Sequence, residues 1–211
     1  MTAYNQEQLE AIRLVRNHLQ RSSSSELSRL RRRVRSYLQF REETDRFLKR
    51  YFSDVCTHKC YQDRYSACCG REGITTFFAD IVINVLMSSD EEADRLVKAL
   101  HAPNVGLKCV YLGNKGCLWK IKPIVCEMFL CEDARKTIFG KDFNVQKKWE
   151  RLRRREKTYT WPDRPVLFDD LETFFIRAGY DSNLMYFHNS PGLLKVKSQA
   201  MKEDNPGLDR S

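Results

Sequence analysis

Ile74-Thr75-Thr76-Phe77-Phe78-Ala79-Asp80-Ile81-Val82-Ile83-Asn84-Val85-Leu86-Met87 is apolar on nearly every side when wound as a helix. A helix without a continuous polar face must be enclosed by the rest of the chain. This stretch is therefore expected at the centre of a mainly α-helical domain. Downstream of it, Ser89 followed by Glu92 reads as a capping box opening a short helix that runs to Leu100, and residues 101–104 end that helix.

Upstream, Leu9, Ile12, Val15 and Leu19 recur at helical spacing over residues 6–20, and four serines at 22–25 break the pattern. A second helix is expected from residue 26 to about 52. Its stripe of Leu27, Leu30, Val34, Tyr37, Leu38, Phe47, Leu48 and Tyr51 lies opposite Arg29, Arg31, Arg32, Arg33 and Arg35. Residues 1–52 thus read as a basic helical hairpin. Residues 108–112 and 117–121 are β-prone around the turn Gly113-Asn114-Lys115-Gly116, which predicts a short β-hairpin. Pro123 suits the start of a helical turn, and helices are expected over 132–139, 145–155 and 167–178, the last ended by Gly179. From Asn189 onward the chain is polar, so a disordered tail is expected over 189–211.

Eight cysteines fall into two groups, Cys56, Cys60, Cys68 and Cys69, then Cys109, Cys117, Cys126 and Cys131, with none between Cys69 and Cys109. Thiols placed only for packing would be scattered among the apolar positions. Thiolates suit zinc and iron–sulfur clusters because both ions are soft enough to prefer sulfur, and each needs about four ligands on one point. All eight are candidate metal ligands. The expected architecture is a compact helical domain over residues 53–188 with a short β-hairpin and a cysteine-ligated metal centre. Neighbouring side chains diverge, so Cys68 and Cys69 rarely serve one ion; a polynuclear cluster or two nearby ions would use both. His58, between Cys56 and Cys60, is a lesser candidate ligand.

A chain of 211 residues with 42% hydrophobic residues closes a core without staples, which weakens a disulfide reading of the cysteines. Residues 1–7 are polar and carry no apolar secretory stretch, so a cytoplasmic setting with reduced thiols is expected. The longest apolar run is interrupted by Asn84 and falls short of the roughly 20 residues that cross a bilayer. The formal charge of +9 favours an acidic protein or a nucleic acid as partner without selecting either.

The run from Cys109 to Phe129 resembles half of a known motif. Cys109-Val110-Tyr111-Leu112, Gly116-Cys117 and Lys122-Pro123-Ile124-Val125-Cys126-Glu127-Met128-Phe129 are similar to the "C-x-x-L … G-C … (R/K)-P-x-x-C-x-x-F" pattern of the YkgJ-like cysteine-cluster family. Cys56, Cys60, Cys68 and Cys69 resemble its opening CxxCxxCC motif with the gaps widened to three and seven residues. The resemblance covers roughly the central third of the chain and implies zinc or iron chelation. It extends to flagellin lysine-N-methylases, which carry a related cluster and use S-adenosylmethionine, but no Gly-rich cofactor loop accompanies it here.

The leading expectation is a metal-binding protein holding an iron–sulfur cluster or zinc through these cysteines, with a redox or accessory role. Iron is slightly favoured, because an adjacent cysteine pair fits a polynuclear cluster. A zinc-stabilised nucleic-acid-binding module is the second expectation, resting on the arginines of 29–35 and 151–155. An S-adenosylmethionine-dependent protein-modifying enzyme is the third. The carboxylates Asp163, Asp169, Asp170 and Glu172 are ordinary complements to a helix start, and no catalytic residue is assigned.

Overall fold

The helix that the apolar stretch predicts runs from Phe78 to Met87 (α3) and buries Phe78, Ala79, Ile81, Val82, Ile83 and Leu86 together with Asp80 and Asn84. At about 1.5–3 kcal/mol for each large apolar side chain removed from water, this helix is a main source of stability. Its start is fixed at Phe78 because an Asp80 carboxylate oxygen reaches back to accept the Phe77 N–H at 3.1 Å. Ile74 lies outside the described residues. The computed structural model describes residues 2–62, 68–70, 75–103 and 107–204.

Helix α1 (Ala3–Arg21) and helix α2 (Ser24–Phe52) follow the expected periodicity, and the serine break narrows to Ser22 and Ser23. Ser23 caps α2 by accepting the Glu26 N–H at 3.2 Å, which is why the helix begins within the serine run. The helix α4 (Asp90–His101) carries the expected capping box, in which the Ser89 hydroxyl and the Glu92 carboxylate satisfy each other's backbone N–H. Helix α1 packs on α3 and α4, tied to α4 by the buried Asn5 amide donating to the Leu100 carbonyl at 3.0 Å.

The β-hairpin is present and shorter than its sequence suggests. Strands β1 (Leu112–Gly113) and β2 (Gly116–Cys117) are antiparallel, with Leu112 opposite Cys117 and Gly113 opposite Gly116. Gly116 holds φ at +106°, a turn conformation that a side chain would strain. The backbone before β1 is committed elsewhere: Lys108 bridges to Gly70, and Leu112 donates to the Cys109 carbonyl at 3.0 Å.

After Pro123 come the short helix α5 (Ile124–Glu127), α6 (Glu132–Phe139), α7 (Phe143–Thr160), α8 (Leu167–Arg177) and α9 (Tyr186–Asn189). Helix α7 lies antiparallel to α2: Tyr159 meets Ser36, Arg155 pairs with Glu43 at 2.5 Å, and Trp149 stacks on Phe47. Helix α8 packs on both α3 and α7, with Phe175 edge-on to Phe78.

Two differences from expectation concern local backbone. Residues Ser53–Gln62 form a π-helix (π1) continuing α2, a rare form that is enriched at functional positions. The tail expected to be disordered is a helix, α10 (Pro191–Asp204), started by proline at its first position and held by Lys197 donating to Asp169 at 2.6 Å. Residues 205–211 of that expectation lie outside the described residues. No helix among the described residues is long and apolar enough to cross a membrane.

Candidate metal centre

Each of the eight cysteines falls among the described residues, and none is in a disulfide. Cys68 and Cys126 are exposed, while Cys56, Cys60, Cys69, Cys109, Cys117 and Cys131 are half-buried. Cys56 and Cys60 sit on π1, where residues four apart share one side of a helix closed by i→i+5 bonds. Cys131 immediately precedes α6 as its N-cap residue.

The two cysteine groups meet through main chain. Cys109 donates its N–H to the Cys69 carbonyl at 2.9 Å, and the next residues out, Gly70 and Lys108, form an antiparallel bridge. Tyr61, at the end of π1, donates its hydroxyl to the Gly113 carbonyl at 3.0 Å, so π1 also touches the hairpin. At the other end of π1, Phe52 packs edge-on against Phe139 of α6.

Electrostatic reach among the thiols follows this geometry. Cys69 lies in the field of Cys109, Cys117 and Cys126, and Cys56 in the field of Cys68, Cys131 and Cys60. Burial, reinforced by the neighbouring thiols, pushes Cys56 up to about 11 and Cys126 up to about 12. Burial likewise raises Cys109 to about 11, against backbone N–H groups that favour its charged form. A hydrogen bond between the vicinal thiols raises Cys68 and lowers Cys69.

Several backbone donors and one cation address the sulfurs. The Tyr111 N–H points at the Cys109 sulfur at 3.4 Å, and the Trp119 N–H holds the same relation to Cys117. Lys122 lies in the field of Cys56, Cys68 and Cys117, where its charge favours their thiolates. The buried Glu127 carboxylate stands 3.3 Å from the Lys122 ammonium and 3.8 Å from the Arg41 guanidinium.

The segment carrying these donors is bolted to the core by residues that sequence reasoning missed. Arg41, buried on α2, donates to the Lys122 carbonyl at 2.8 Å and to the Tyr37 hydroxyl at 2.8 Å. Asn84 accepts the Ile121 N–H at 2.9 Å, and Asp80 accepts the Ile124 N–H at 3.0 Å. Burial raises Asp80 to about 7, and Arg41 opposes that rise. The available signal was the pair of polar residues, Asp80 and Asn84, four apart in an otherwise apolar helix.

The structure does not bring the histidines to the thiols. His58 is exposed and pairs with Gln62 at 3.1 Å, His101 contacts Arg13, and His188 contacts Glu172. His18 is packed among the rings of Phe174, Phe175 and Tyr180. Among the described residues, no three His, Cys, Asp or Glu side chains stand, as placed, in a group that could hold a metal ion. The eight thiols are distributed over π1, the Cys68-Cys69 segment, the hairpin, α5 and the residue before α6, with backbone N–H groups and Lys122 near several of them. That chemistry fits soft metals. A cleft of about 400 Å³, with no cysteine in its lining, is bounded by Met128, Phe129, Phe139 and Trp149 together with Arg135, Glu150 and Arg153. Comparison with protein-family models, curated proteins and solved structures gives no match.

Proposed function

We propose that this chain is a metal-binding protein in which thiolates drawn from Cys56, Cys60, Cys68, Cys69, Cys109, Cys117, Cys126 and Cys131 hold zinc or an iron–sulfur cluster. The observation that carries the reading is the 2.9 Å backbone bond from Cys109 to Cys69, which joins one member of each cysteine group. Eight free thiols are donors that soft ions prefer. Metal binding would then cross-link π1, the hairpin and α6, and the binding energy would be folding energy for those elements. Elemental analysis and visible absorbance of anaerobically purified protein test the reading. Zinc, or iron with sulfide, is expected at stoichiometric level; protein that folds fully with neither would remove it.

A second reading, a metal-stabilised nucleic-acid-binding module, is favoured by one observation. Arg31, Arg32, Arg35, Arg151 and Arg154 are exposed on α2 and α7, and among the described residues none of them has a carboxylate partner. Their charge is open to phosphate. Retention on DNA or RNA that falls steeply with salt is expected on this reading, and no retention at low salt would dismiss it.

A further inference from the structure

We infer that the cleft between α6 and α7 binds a small aromatic carboxylate, its ring held among Phe129, Phe139 and Trp149 and its charge met by Arg135 and Arg153. No cysteine lines this cleft, and the inference stands apart from the metal-binding reading.

Three pieces of chain make the walls. On α6, Arg135 and Phe139 are four apart and share one face, and on α7 Gln146, Trp149, Glu150 and Arg153 recur at helical spacing along one face. The connection from α5 to α6, residues 128–130, closes the third side. The volume of about 400 Å³ falls within the range of about 300–1,000 Å³ that small-molecule sites occupy.

Two of the three rings are fixed before any ligand arrives. Trp149 stacks on Phe47 at 5.7 Å, and Phe139 meets Phe52 edge-on at 5.6 Å, so both are held by core rings of α2. Phe129 is different. It stays 52% exposed, a large apolar ring left in water that a bound ring would cover. Aromatic walls favour an aromatic body through edge and offset contacts, and a rigid ring loses less freedom on binding than a flexible acyl chain.

The charge of the walls sets the sign of the ligand. Two guanidiniums, Arg135 and Arg153, share the lining with one carboxylate, Glu150, which accepts the Gln146 amide N–H at 2.9 Å. Arg153 is positioned by donating to the Met128 carbonyl at 3.3 Å, with Glu156 at 3.8 Å. Arg135 is exposed, and among the described residues no carboxylate stands within ion-pair distance of it; Glu132, one turn earlier, pairs with Lys136 at 2.7 Å. A guanidinium left without a carboxylate beside aromatic rings can receive one through paired N–H bonds.

Isothermal titration of the full chain with naphthoate tests the inference, and one saturable site is expected. Naphthalenemethanol and naphthylmethylammonium carry the same ring without the negative charge and should bind about tenfold more weakly or worse, the share of a charge-assisted hydrogen bond. Decanoate, with the same charge on an acyl chain, should also bind more weakly than naphthoate. This ligand series runs on wild type and needs no variant to fold. Arg135→Gln, at an exposed position, should weaken naphthoate about tenfold and leave naphthalenemethanol unchanged, whereas Phe129→Ser should weaken both. Arg95→Gln, exposed on α4, should alter neither. Absence of saturable binding, equal affinity for the three naphthalene compounds, tighter binding of decanoate, or full naphthoate affinity in Arg135→Gln overturns the inference. Metal-free protein that still binds naphthoate would remove the metal-binding reading alone.

Discussion

Cys109 and Cys69 are joined by main chain, N–H to carbonyl at 2.9 Å, so their convergence does not depend on a metal to pull it together. Cys56 and Cys60 are less firmly placed, since π1, which carries them, buries no residue of its own. Removing metal should therefore act unevenly. After chelation, hydrogen exchange is expected to rise in π1 and in residues 107–117, while α3 and α8 keep their protection, because their stability comes from apolar burial. Uniform loss of protection would mean that the helical core itself depends on the ion.

Loss of one ligand should outweigh loss of an exposed arginine. Cys126→Ser is expected to lower metal content and to cost about 3 kcal/mol or more, since binding free energy is folding free energy in such sites. Arg32→Ala, exposed on α2, should stay within about 0.5 kcal/mol. Denaturant titration together with metal analysis compares the two, and equal occupancy and stability would remove Cys126 from the ligand set.

Asp80 links the core to the thiol-bearing segment by accepting the Ile124 N–H at 3.0 Å, and it caps its own helix by accepting the Phe77 N–H at 3.1 Å. Asp80→Leu leaves both N–H groups buried without partners, at about 1–3 kcal/mol each. The expected loss is about 2–5 kcal/mol in urea denaturation, with reduced metal content because Ile124 opens the turn that carries Cys126. Asp80→Asn keeps one acceptor oxygen and should fall between wild type and the leucine variant.

Most of the architecture was legible in pattern. Periodicity located α1 and α2 because each buries one stripe, and the Ser89 capping box announced α4. Three features were not legible. The π-helix over Ser53–Gln62 depends on which carbonyls the backbone selects, and side-chain spacing does not report that. Helix α10 reads as polar chain, and the ion pair from Lys197 to Asp169 that holds it is a long-range contact. The anchoring role of Arg41 was hidden because it sits next to the arginine-rich face of α2, yet its side chain turns inward to Tyr37 and Lys122. For the candidate site, spacing identified the clustered thiols, whereas the main-chain bond that joins Cys109 to Cys69 appears only once the chain is folded.

Gly179 ends α8 with φ at +84°, where any side chain is strained. Gly179→Ala should therefore cost about 1–2 kcal/mol in denaturation although no atom lies within 4 Å of the added methyl group. Gly192→Ala, whose added methyl would meet only the Ser190 hydroxyl at 3.9 Å, should stay within about 0.5 kcal/mol. Similar costs at the two positions would argue that packing, and not backbone conformation, selects glycine at 179.

Glu172 and His188 lie 2.9 Å apart, and burial works against the charged form of each. Burial, with the neighbouring Asp169 charge, pushes Glu172 up to about 9, and burial also lowers His188. In the unfolded chain Glu172 has its ordinary value of 4.5. The folded state therefore keeps a proton that the unfolded state has released, and stability contributed by Glu172 is lost as pH rises from about 4.5 towards about 9. Asp80, raised to about 7, acts with the same sign but is spent by neutral pH. Between pH 7 and 9 the imidazole is neutral in both states, which leaves Glu172 as the distinguishing group, with a slope of up to about 1.4 kcal/mol per pH unit. Glu172→Gln fixes the neutral form. Melting temperatures of the variant and wild type across that range should diverge, the variant losing less as pH rises, and taking the difference at each pH cancels the opposite trend from thiol deprotonation at the metal centre. Parallel curves would mean that Glu172 is already ionised in the folded protein.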